Sequence, residues 1–275
     1  RGDKIVIWDR ESKDVVWEWS TFDHYSTQDF DGAYFPDIYG GSWAFAFNFF
    51  VYDWTHVNAF WHAPDDNALY ISCRHLSRIT KIYFNEDDYS DPQNGQIIWN
   101  MGQEMPSGDV DCGQDIDFSW QHSVQITDFG TLTFLDNGNL SDDFNEEISS
   151  PITRGLEIAV EEGGSGGCEA TQVWSYELPA EYFGMASGSM QKLENENYLI
   201  TTVGNLGNTF EVTPTMNYPE FVMKTNYNLA SGLLYRANRI SSIHPMSLSI
   251  QAWNFTGDAT SISSTSQIQS DDGLV

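Results

Sequence analysis

The sequence predicts an all-β protein, a β-propeller assembled from short four-stranded modules. Three observations carry that prediction. Apolar runs of strand length are separated by turn signals, with no helix pattern longer than two or three turns. Aromatic residues make up 15% of the chain, with Trp 10, Tyr 13 and Phe 17, and such side chains favour a pleated, half-buried surface. The strand order also repeats every few tens of residues, which is how propeller blades announce themselves in sequence. A β-sandwich would not need that repeat. At 275 residues the chain suits one domain, 1–275.

The elements follow in order. KIVIWD and VVWEWS, within residues 1–20, read as the last two strands of a blade whose start is absent. HVNAFWH, ALYISCR, ITKIYF and QIIWNM form a complete set, followed by HSVQIT, TLTFLD, RGLEIAV and QVWSYEL. A weaker copy begins at Met185 with SMQKL, NYLITTV, NTFEVT and EFVMKT. Turn chemistry separates many of them: PDDN at 64–67, PQNG at 92–95, DNGN at 136–139 and ENEN at 194–197. Residues 241–275 are assigned to closing strands or a tail, with strands from the two chain ends expected to complete one blade. Trp99 and Trp174, which end equivalent strands, are read as core.

Charge excludes some partners. Asp+Glu 40 against Lys+Arg 12 gives a formal net charge of -28, a field that repels nucleic acid and anionic membrane surfaces. Solubility in a salty medium accounts for most of this acid, because the Debye length is only ~8 Å at about 0.15 M. Two acidic clusters are also dense enough to consider for Ca²⁺: Glu86, Asp87, Asp88 and Asp91, and Asp109, Asp111, Asp115 and Asp117. Neither has EF-hand spacing, so a solvated loop is the preferred reading of each. No other cofactor is expected.

The three cysteines contain no CxxC pair. Cys112 and Cys168 lie in loop-like sequence and Cys73 in an apolar strand, so the expected disulfide is Cys112–Cys168 with Cys73 buried and free. That pairing fits an extracellular or periplasmic location. The sequons at Asn139 and Asn254 decide nothing alone. No stretch approaches the ~20 apolar residues of a membrane helix. The abrupt start at RGDKIVIWDR reads as that of a processed or truncated chain.

A more specific signal comes from DWTHVNAF (53–60), LYISCRH (69–75), QIIWNMG (96–102), WQH (120–122), LTFLDNGN (132–139), TRGLEIAV (153–160) and YRANRI (235–240). In order and spacing this set resembles the arylsulfotransferase family, over a core of residues 53–240. The resemblance implies a six-bladed propeller that transfers a sulfuryl group from an aryl sulfate to a phenolic acceptor without a nucleotide. It implies catalytic roles for His56, His122 and Arg154, and substrate-binding roles for Asn58, Arg74, His75, Tyr235 and Arg236. One departure stands out: the family's sulfated histidine lies downstream of the QH element, whereas this chain has no His between His122 and His244.

The chemistry is consistent with those residue types. Sulfuryl transfer needs cations and hydrogen-bond donors aimed at the sulfate oxygens, together with a proton donor and acceptor. His56, His122 and Arg154 are therefore expected to form one anion site at the mouth or centre of the channel. Blander readings stand beside this one. His24 and His62 are taken as satisfied structural histidines. Arg74 has nearly equal claims as a ligand and as the partner of a carboxylate, and Asp136–Gly138 makes a good turn whatever else it does. Two functions are thus carried forward: a sulfotransferase-like enzyme, and a catalytically inactive propeller serving as an extracellular binding or surface-assembly module. Self-association stays open.

Overall fold

The structure is a computed structural model that describes residues 1–29, 53–145, 147–163, 167–215, 221–229, 234–240, 251–253 and 261–263. Residues Arg1–Ala237 form one compact unit and Asn238–Val275 a second. In the second, β15 (Gln251–Trp253) and β16 (Ser261–Ser263) pair antiparallel. His244 lies outside the described residues.

Among the described residues of the first unit, fourteen strands form four antiparallel sheets. A two-stranded ribbon comprises β1 (Lys4–Trp8) and β2 (Val15–Ser20). Three meanders of four strands follow, each in simple sequential order. The first contains β3 (Val57–Ala63), β4 (Ala68–Cys73), β5 (Arg78–Tyr83) and β6 (Ile97–Gly102); the second contains β7 (His122–Ile126), β8 (Leu132–Asp136), β9 (Arg154–Glu162) and β10 (Cys168–Glu177). The third contains β11 (Ser189–Lys192), β12 (Tyr198–Thr202), β13 (Asn208–Val212) and β14 (Phe221–Asn226). All fourteen strands coincide with apolar runs read from the sequence. The main difference is β10, which starts at Cys168 because its early residues pair with β9 along an exposed edge where apolar side chains are not required.

Successive side chains of a strand point to opposite faces, and here both faces are buried. In β4, Leu69, Ile71 and Cys73 join a core with Trp19, Tyr25 and Trp54, while Ala68 and Tyr70 join another with Trp99, Phe118 and Phe134. In β8, Leu132 and Phe134 face that second core, whereas Leu135 faces a third built around Trp174, Tyr198 and Phe210. The sheets therefore stack face on face, ribbon first, and their opening strands touch: β3 against β7, and β7 and β8 against β11. Trp99 and Trp174 are 1% and 2% exposed, as core tryptophans should be.

The Cys112–Cys168 disulfide is present with Cα atoms 5.5 Å apart. It staples the segment after β6 to β10 of the next sheet. Cys73 is free and buried, and burial pushes its thiol up to about 12. No helix among the described residues is long and apolar enough to cross a membrane.

Candidate functional site

Within two residues of the start of each four-stranded sheet lies a non-glycine residue with positive φ, and in the third sheet Gly188 follows it with φ 94°. His56 (φ 48°) precedes β3, Trp120 (φ 56°) precedes β7 and Ser187 (φ 56°) precedes β11. Such conformations are unfavourable for ordinary residues and concentrate where side chains must be aimed. Because β4 runs antiparallel to β3, and β8 to β7, the turns that leave β4 and β8 arrive at the same end. That end gathers most of the residues singled out from the sequence.

His56 sits at the centre. Its Nδ1 is 2.5 Å from Asp53 Oδ2, its side chain is 32% exposed, and its Nε2 has no hydrogen-bond partner among the described residues. Its ring packs on that of His75, with centroids 4.5 Å apart. His75 is buried, with Nδ1 2.5 Å from the Asp53 carbonyl and Nε2 2.6 Å from Arg74 Nη1. A guanidinium only donates, so Nε2 accepts and the proton of His75 lies on Nδ1. Burial first, and then the charges of Arg74 and His56, push the His75 imidazole down to about 3. Burial alone would raise the Asp53 carboxyl, but the hydrogen bond and charge of His56, with His75 and Arg1 behind them, hold it well below the usual carboxylate range.

Arg74 carries its guanidinium carbon over the Trp120 ring, 4.2 Å from the centroid, and donates Nη2 to the Met185 carbonyl at 3.0 Å. Asn58 donates to the Gln121 carbonyl at 2.7 Å, and its own carbonyl accepts from Arg236 at 2.9 Å. Tyr235 anchors the same segment by accepting the Gly188 N–H at 2.8 Å through its backbone carbonyl, leaving its ring half exposed beside Arg236. His56, His75 and Arg74 thus form one set of contacts, and Asn58, Tyr235 and Arg236 another that is held by Gln121 and Gly188.

His122 joins them on different terms. Asn137 gives its amide hydrogens to the carbonyls of Gly184 and Ser187, so its Oδ1 accepts from His122 Nδ1 at 2.6 Å. His122 Nε2 then accepts the Ser187 N–H at 3.2 Å. With both nitrogens engaged, His122 clasps its sheet to the next, and burial with the nearby charge of Arg74 pushes it down to about 3. The sequence marked Asn137 as part of a motif and a good turn without a role of its own; its bonds to His122, Gly184 and Ser187 appear once the β11 entry folds against it.

Arg154 is not brought to this cluster. It pairs with Asp136, 0% exposed, at 2.7 Å, and donates to the carbonyls of Ile116 and Asp117 at 3.1 and 3.0 Å. It lines a small cavity with Asp117, Asn145 and Glu177, away from the histidines. Asp136 is its register partner across β8 and β9. Of the three residues expected to form an anion site, His56 packs with His75 beside Arg74, His122 bonds Asn137 and Ser187, and Arg154 pairs with Asp136. Asp53 and Trp120 were quoted in motifs without a role, although an Asp three residues before a His was a usable signal.

Among the described residues, one group has metal-ligand spacing: donor atoms of Asp53, His56 and His75 lie within 4.8 Å of one another. Both nitrogens of His75 are committed, however, and the Arg74 guanidinium occupies the approach to Nε2. The two acidic loops are engaged internally: Asp88 and Asp91 accept from Ser90 and Gln93, Asp109 pairs with Arg78, and Asp111 accepts the Asn100 N–H.

A family model described as "Arylsulfotransferase (ASST)" matches residues 1–236. No curated protein matches the chain. Among solved structures, the chain is similar to a protein of unknown function from Bacteroides caccae, at 13% identity and a TM-score of 0.44, covering 87% of this chain and 58% of that one. The chain thus spans less than two thirds of that protein's length.

Proposed function

The chain belongs to the arylsulfotransferase family, and from that premise we propose that it transfers a sulfuryl group from an aryl sulfate to a phenolic acceptor at the His56–His75–Arg74 cluster. The observation that carries the reading is His56 itself: Asp53 Oδ2 holds Nδ1, while Nε2 is without a hydrogen-bond partner among the described residues. Arg74 and Arg236 supply positive charge for the sulfate oxygens in a chain of net charge -28 with only 12 Lys+Arg. Asn58, His75 and Tyr235 shape the wall around them, His122 locks two sheets together behind it, and Arg154 acts through the fold. In this reading the four-stranded modules are blades of a six-bladed propeller in an extracellular or periplasmic protein, for which the Cys112–Cys168 disulfide is chemically suited.

The test is transfer from p-nitrophenyl sulfate to phenol. His56→Ala abolishes transfer while the fold survives, and Arg74→Ala weakens sulfate-ester binding by roughly tenfold to a hundredfold, the value of a charge-assisted hydrogen bond. A second reading, an inactive binding module, draws on the commitment of both His122 nitrogens and on the lack of a His between 122 and 244. An anion bound by the wild type and lost in Arg74→Ala, without turnover in either, selects it.

A further inference from the structure

We propose that Asp53 is a positioning residue for the acceptor half of the reaction, fixing the proton of His56 on Nδ1 so that the Nε2 lone pair removes the proton of a neutral phenol. The inference rests on the sulfuryl-transfer reading and deepens it.

Three observations carry it. The Asp53 carboxylate accepts from His56 Nδ1 at 2.5 Å, and an ionised carboxylate can only accept. The Asp53 carbonyl accepts from His75 Nδ1 at 2.5 Å, so one residue orients both neighbouring rings through two different groups. Arg1 Nε approaches the other carboxylate oxygen at 3.4 Å, which keeps Oδ2 turned to His56. His56 has a left-handed backbone, and its ring meets Asp53 three residues earlier.

The step balances as follows. The acceptor's O–H proton passes to His56 Nε2 as its oxygen bonds to sulfur. The bond from sulfur to the donor's aryl oxygen breaks, and its electron pair leaves on that phenolate. The imidazolium formed at His56 is stabilised by the Asp53 carboxylate, and its proton is returned to the departing phenolate or to water. A phenol already ionised at neutral pH has no proton to give, so it does not need this assistance.

The experiment measures transfer from 4-methylumbelliferyl sulfate to two acceptors: phenol, neutral at pH 7, and pentafluorophenol, ionised at that pH. Asp53→Asn and Asp53→Ala are each expected to lower kcat with phenol by about tenfold to a thousandfold, with KM for the donor little changed and the rate with pentafluorophenol nearly that of wild type. Equal losses with both acceptors, or none, overturn the inference. Ring-nitrogen NMR of the ¹⁵N-histidine-labelled wild type supplies an arm independent of turnover. It is expected to show His56 protonated on Nδ1, and protonation on Nε2 overturns the proposal whether or not the variants fold. A wild type that shows the Nδ1 proton but transfers nothing keeps the Asp53–His56 geometry, and its failure then falls on the sulfuryl-transfer reading and on the acceptor role together.

Discussion

His75 and His122 are neutral because their surroundings leave no room for charge, and this sets a pH dependence. Both are pushed down to about 3 in the folded state, from an ordinary value of about 6.5. As pH falls below ~6.5 the unfolded chain takes up protons that the folded chain refuses, so stability present above that value is lost progressively toward pH 3. The loss is on the order of 2 kcal/mol for each ring by about pH 5. Thermal melts compared at about pH 7.5 and about pH 5 are expected to show a clear drop in Tm, and equal values would contradict buried neutral histidines at these positions. Arg154 gives a second residue-scale prediction. Asp136 is fully buried, and removing its guanidinium partner leaves the carboxyl uncompensated, which typically costs about 3–5 kcal/mol. Urea unfolding of Arg154→Ala should show that loss; unchanged stability would mean that the ion pair is not structural. His56, Asn58, Arg74, His75 and Arg236 were all named from sequence motifs, and their hydrogen-bond partners became legible only in the fold. The direction of Arg154 was not legible in sequence either. It depends on which residue faces it across β8 and β9, and register exists only once strands pair.

Strands were the most legible elements, because a sheet buried on both faces writes continuous apolar runs such as ALYISC and TLTFLD. The early half of β10 is illegible for the opposite reason: CEATQ alternates only weakly, and its pairing with β9 comes from the preceding hairpin and from Cys168. The positive φ values at His56, Trp120 and Ser187 were also hidden, since none of the three is itself the glycine that usually marks such a conformation. The disulfide links elements from neighbouring sheets across a sequence separation of 56, and loop-closure entropy assigns a bridge of that span about 4 kcal/mol. Reduction with dithiothreitol is expected to lower the unfolding midpoint while the buried Cys73 stays slow to alkylate in the native state. An unchanged midpoint would show that the loop is held by packing alone.

On the scale of the whole molecule, a net charge of -28 and the positive charge of Arg74 act in opposite directions on any anion that approaches His56. The acid surface is screened beyond about a Debye length, ~8 Å at about 0.15 M, whereas the cluster acts at contact distance with Arg74 buried against Trp120. Composition predicted the repulsion, but only the stacking of successive sheets shows how residues as far apart as Asn58 and Arg236 share one end of the fold. The most direct measurement is the rate of sulfuryl transfer from p-nitrophenyl sulfate to phenol by wild type and by His56→Ala, with Tm recorded for both. Transfer by the wild type, and none by a variant of near-equal Tm, is the predicted result; a His56→Ala protein that transfers at the wild-type rate would contradict the account.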